Sequence, residues 1–83
     1  MDMEQVCKKK LLDLSSFVDS GYSIDDEVNW KVFKDTYMNI CNHLSDCINR
    51  LAPSEEKEEI MKTVQTVNTE YIGLHLHMIC NVL

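Results

Sequence analysis

Two pairs of side chains in this chain have the types and spacing of metal ligands: His43 with Cys47, and His77 with Cys80. On a helix each pair shares one face and supplies half of a Cys2His2 zinc site. Distance argues against joining the halves. Folding the chain about Pro53 sets His77 opposite about Val28 and His43 opposite about Lys62, ~20 Å or more apart at helical rise. Only a site between two chains would use both pairs, so no metal and no other cofactor is expected. His75 and His77 would chelate an ion on a strand, where residues two apart point the same way, and Leu74, Leu76 and Met78 alternate with them. A single strand would have no pairing partner in a chain that otherwise reads as helix, and on a helix the two rings diverge by about 200°.

Nucleophilic catalysis needs a Ser or Cys beside a base, with donors for an oxyanion. Ser20, Ser23 and Ser54 are accounted for by turns and helix caps. Gly21 and Gly73 stand alone, so no glycine-rich phosphate loop exists. The carboxylate pairs Asp25-Asp26 and Glu58-Glu59 sit at helix starts, where solvated negative charge favours the helix dipole. The chain is expected not to be an enzyme. Met1-Asp2-Met3-Glu4 is acidic where a secretory leader would be basic, so an intracellular, cytoplasmic setting is expected. Cys7, Cys41, Cys47 and Cys80 are then read as reduced thiols behaving as small hydrophobes. Cys7 and Cys41 are expected at similar levels on adjacent helices.

The 83 residues carry 14 acids against 8 Lys and Arg, a net charge of −6. That balance opposes direct nucleic-acid binding and attachment to an anionic membrane, since both need a basic face. Lys8-Lys9-Lys10 is the one basic run and reads as a solvated helix face. With 45% hydrophobic residues the chain should fold, as a single domain over residues 1–83, and with 2 Gly and 1 Pro it should do so with long uninterrupted elements. Its size makes one core only marginally sufficient, so association would help.

Hydrophobic periodicity supplies the elements that must position these groups. Met3, Cys7, Leu11, Leu14 and Val18 form one helical stripe, and the spacing predicts a helix over about 3–19 closed by a left-handed Gly21. Ser23 is expected to cap a second helix over about 24–51, in which Phe33, Tyr37, Ile40, Leu44, Cys47 and Leu51 keep a heptad seam. Pro53 breaks the pattern. Ser54 caps a third helix over about 54–81, with the seam Ile60, Val64, Val67, Tyr71, Leu74 and Met78. The fold expected is all-α: a three-helix bundle made of a short first helix and a long antiparallel hairpin, in an oligomer.

Tyr71 to Leu83 carries no charged side chain and is too short to span a bilayer, which takes about 20 residues. Counting residues around Gly21 sets the first helix from the start of the second to about Ile40, level with Gln65 to Asn81. The uncharged segment is therefore expected to be the most buried part, with Gly73 allowing the first and third helices to approach closely. The hinge end is expected to be left open, and Cys41, Leu44, Cys47, Ile48 and Leu51 to form a surface for a protein partner and for a homodimer or higher homo-oligomer.

The turn Pro53-Ser54-Glu55-Glu56-Lys57 between two amphipathic helices resembles the inter-helix turn of small phage proteins that sequester cyclic-nucleotide immune signals as helical oligomers. The resemblance covers about five residues, with Tyr71 the nearest match to an aromatic that family carries late in its second hairpin helix; the rest of the chain does not align. It implies a sponge for a small anionic ligand; the pocket of such a sponge would form between chains, with Tyr22, Trp30, Lys31 and Lys34 as the polar groups expected to reach the ligand. Residue pattern by itself favours a different function: a small acidic non-enzymatic interaction module of inhibitor or adaptor type, of a size that would suit a phage or virus. A third reading takes the acids as a mimic of nucleic acid, although capping accounts for most of them.

Overall fold

The computed structural model describes residues 2–81 and is all-helical. Helix α1 spans Met3–Ser20, α2 Glu27–Asn49 and α3 Glu55–Asn81, with a 3₁₀ turn at Gly21–Ser23 between the first two. Each start has an identifiable cap. Asp2 accepts from the Gln5 N–H at 2.9 Å, Asp26 from the Asn29 N–H at 2.8 Å, and the Ser54 hydroxyl from the Lys57 N–H at 3.2 Å. Ser23, expected to cap α2, instead donates its hydroxyl to the Ser20 carbonyl at 2.8 Å. Asp26 takes the role because its backbone is extended and its carboxylate accepts from both the backbone and the side chain of Asn29. Helix α2 accordingly begins three residues later than the spacing predicts.

The three helices pack as a bundle 41 Å long and 19 by 16 Å across. Cys7, Leu11, Leu14 and Val18 turn the stripe of α1 inward, where it meets both other helices. Direct backbone approach between α2 and α3 is sparser, because large rings stand between them. Tyr37 stacks on Tyr71 at 3.8 Å, and Trp30 on Tyr71 at 6.0 Å. Interhelix distance follows side-chain size at the contact, so these rings hold α2 and α3 apart while α1 fills the space behind them.

The axial position of α1 differs from expectation. Lys8 meets Glu56 at 3.0 Å, and Glu4 shares a shallow groove with Leu51, Ala52 and Lys57. Helix α1 thus reaches the Pro53 hinge instead of stopping near Ile40. The cause is the connection: Gly21 to Asp26 is not a tight turn but a 3₁₀ turn followed by extended backbone. It carries the chain past the end of α1 before α2 turns back.

Both glycines do something other than predicted. Gly21 is right-handed, with φ −66° and ψ −22°, so it supplies no left-handed cap. What it supplies is space, since an added Cβ would lie 2.5 Å from Leu74 Cδ2 and 2.6 Å from Phe33 Cζ. Gly73, expected at a close approach of α1 and α3, has nothing within 4 Å of where a Cβ would sit.

The uncharged segment is not the most buried part. Leu74 and Met78 are fully buried, yet Ile72 is 58%, Leu76 57% and Ile79 46% exposed. With α1 shifted toward the hinge, the outward side of this segment has no neighbour among the described residues. Val82 and Leu83, which belong to the same expectation, lie outside the described residues, as does Met1. Among the described residues no helix is long and apolar enough to cross a membrane.

Candidate interaction face

The five residues expected to form a surface at the hinge end are mostly interior. Leu44 is 1% and Ile48 9% exposed, while Cys41, Cys47 and Leu51 are half-buried and packed against the core. This corrects the sequence-based surface, and the reason is the position of α1, whose Cys7 lies against Cys47. Burial and the neighbouring Cys47 push the Cys7 thiol up from its ordinary value. Cys7 is therefore the neighbour of Cys47, not of Cys41. Cys41 packs beside Tyr37, and burial pushes its thiol up as well. A thiol held in its neutral form is a poor nucleophile and a poor metal ligand.

Of the metal-ligand pairs, His43 and Cys80 are exposed and Cys47 half-buried. His77 is engaged by the Asn81 amide at 3.2 Å. Among the described residues no three His, Cys, Asp or Glu side chains are gathered in a metal-holding arrangement.

Three of the four residues expected to reach a small anion do come together. Trp30, Lys31 and Lys34 line an open groove of about 270 Å³ between α2 and α3, with Glu27, Asp35 and His75. The fourth, Tyr22, is not part of its lining and instead lies 6.1 Å from His77, ring to ring. Two carboxylates offset the two ammonium groups, and Trp30 is committed to the core by stacking on Phe33 at 5.4 Å. Beneath the groove, Tyr37 donates its hydroxyl to Asn68 Oδ1. Burial holds the Tyr37 and Tyr71 phenols above their usual range.

Helix α3 carries a second stripe that the pattern had hidden. Gln65, Thr69, Ile72, Leu76 and Ile79 are spaced 4, 3, 4 and 3, the same period as the buried seam, and all are exposed. Met61 continues the apolar character toward α2, where it borders Ser45, Ile48 and Asn49. Met38 lies on that same side of α2, one turn beyond Lys34, and is 54% exposed. The available signal was the 4-3-4-3 spacing itself. Apolar residues all round α3 suggest neighbours on every side, whereas α2 and the connection at Gly21 and Tyr22 both pack on the side that carries Tyr71, Leu74 and Met78.

Compared with models of protein families, with curated proteins and with solved structures, the chain matches none.

Proposed function

We propose that the protein is a non-enzymatic interaction module: a small acidic helical scaffold that associates with itself and with a partner protein, in the manner of an inhibitor or adaptor. The observation that carries this reading is the outward stripe of α3. Soluble monomers rarely leave contiguous apolar surface uncovered, and such surface marks a place of association. The contact moves from the hinge, where α1 covers it, to Ile72, Leu76 and Ile79. Affinity capture from native host cells tests the reading. A protein held by the wild type and lost by a folded Ile72→Asp, Leu76→Asp variant supports it; equal capture by both, or none by either, overturns it.

A second reading is favoured by the groove at Trp30, Lys31 and Lys34, which would accept a small anion such as a cyclic nucleotide. A thermal-shift screen with nucleotides and cyclic dinucleotides decides this reading, since a ligand that binds only the folded state raises the melting point. Lys31→Ala with Lys34→Ala should abolish any shift, and no shift across the screen removes the reading.

A further inference from the structure

We propose that the occupant of the outward α3 stripe is the same stripe of a second copy, the two α3 helices lying antiparallel about a two-fold axis and crossing at Gly73. The proposal rests on the association reading above and names the partner surface.

A 4-3-4-3 spacing is the pattern by which one helix packs into another. Helix α3 presents it twice: the buried seam is apolar throughout, and the outward one is polar at Gln65 and Thr69 and apolar at Ile72, Leu76 and Ile79. Gly73 supplies a second observation. A glycine inside a helix is unfavourable, its φ here is not positive, and its missing Cβ faces open space. Among the described residues nothing makes use of that gap, whereas a helix laid alongside would. The notch at Gly73 adjoins the projecting side chains of Ile72 and Leu76, so a two-fold rotation brings projection onto notch in both directions. That is the self-complementarity an isologous interface requires.

Charge at the seam permits a copy of this chain and gives an oppositely charged helix no advantage. Partner choice in heptad packing is set by the flanking positions, which here are Thr66, Gly73 and Cys80 on one side and Asn68 and His75 on the other. None would draw a charged partner, and none repels a second chain of net charge −6. The antiparallel sense follows from Glu55, Glu56, Glu58 and Glu59 in the first turns of α3. A parallel pair would bring both acidic runs together, and an antiparallel pair keeps them at opposite ends. The stripe from Gln65 to Ile79 is ~21 Å long at helical rise, enough for roughly half of the 800 Å² per partner that a stable dimer buries. Exposed Met38 and Met61 beside it extend the contact toward that size.

Sedimentation velocity over a concentration series tests the proposal. The wild type should shift from monomer to dimer. Leu76→Glu should weaken the dimer ~100-fold, as loss of a central interface residue does, with the helical circular dichroism unchanged. Gly73→Leu should weaken it ~10-fold while leaving the helix intact. Under copper-phenanthroline oxidation, Thr66→Cys, on the same flank as Cys80 and equally far from Gly73, should crosslink to Cys80 of the other copy well beyond the wild-type background. A chain that stays monomeric, a dimer indifferent to Leu76→Glu and Gly73→Leu, or a wild type that crosslinks through Cys80 as efficiently as the variant overturns the antiparallel α3 pair. A monomer that still loses its captured partner on Ile72→Asp, Leu76→Asp would refute this inference and leave the association reading standing.

Discussion

The same substitution, glycine to alanine, should have opposite signs at the two glycines. At Gly21 the added methyl would sit 2.5 Å from Leu74 Cδ2 and 2.6 Å from Phe33 Cζ. Leu74 has no exposed surface, and the Phe33 ring is held by a stack on Phe17 at 4.4 Å, so neither atom moves freely. Overpacking of this kind costs about 1–3 kcal/mol. The right-handed backbone of Gly21 lets alanine recover up to about 1 kcal/mol of glycine's entropic disadvantage, leaving a net loss of about 1 kcal/mol. At Gly73 only the gain operates, so Gly73→Ala should add about 1 kcal/mol. For 83 residues, 1 kcal/mol corresponds to about 6 °C in Tm. Gly21→Ala should therefore melt about 6 °C below the parent and Gly73→Ala about 6 °C above it, both measured by circular dichroism in a Leu76→Glu background so that self-association does not enter. In a Leu74→Ala background, Gly21→Ala should cost less, because the Leu74 contact is gone and the Phe33 contact remains. A Gly21→Ala protein as stable as its parent would refute the close packing of the first connection on α3, and with it the account of where α1 sits.

Three further outcomes follow from the same packing. Leu44→Asp places an unpaired carboxylate at a site 1% exposed and should abolish cooperative unfolding; a folded, soluble variant would return Leu44 to the surface. Asp26→Ala should lower the urea-derived stability by about 1 kcal/mol through loss of the α2 cap, while Ser23→Ala, whose hydroxyl serves only the Ser20 carbonyl, should change it far less. Tyr37 and Tyr71 are held neutral by burial, so ionisation is harder in the folded chain than in the unfolded one. The stability this confers is complete below about pH 10, the ordinary phenol value, and is lost as pH rises beyond it. In a Tyr22→Phe variant, phenolate absorbance at 295 nm should rise together with loss of helix, and ionisation preceding that loss would count against the buried stack.

The helices were legible because their signals are local. The inward stripe of α1, the Pro53 break and the Ser54 cap are each decided by residues within one or two turns, and each lies where the spacing put it. The surface was not legible, because it depends on how far one helix slides along another. Reading Ser20-Gly21 as a tight stop shortened the connection and drew α1 away from the hinge, which left Leu44 and Ile48 bare on paper and Ile72 and Leu76 covered. One mistaken turn reversed the two ends of the molecule. The Lys8–Glu56 pair is the contact that fixes the true position. It draws Glu56 below the usual carboxylate range, and no helical period foretells a pair 48 residues apart.

Length alone dictates that some of α3 stays uncovered. Helix α1 has 18 residues and α3 has 27, about 27 Å against about 40 Å at helical rise. Wherever α1 is placed, roughly a third of α3 extends beyond its length. A chain selected to remain monomeric would put charge on the outward side of that third, as it does between Glu55 and Glu59. From Tyr71 to Asn81 there is none, and the side chains that face outward include isoleucine and leucine at heptad spacing. The absence of charge is therefore informative only once the neighbours have been located: on the side that carries Leu74 and Met78 it means a core, and on the side that carries Ile72, Leu76 and Ile79 it means exposed apolar surface.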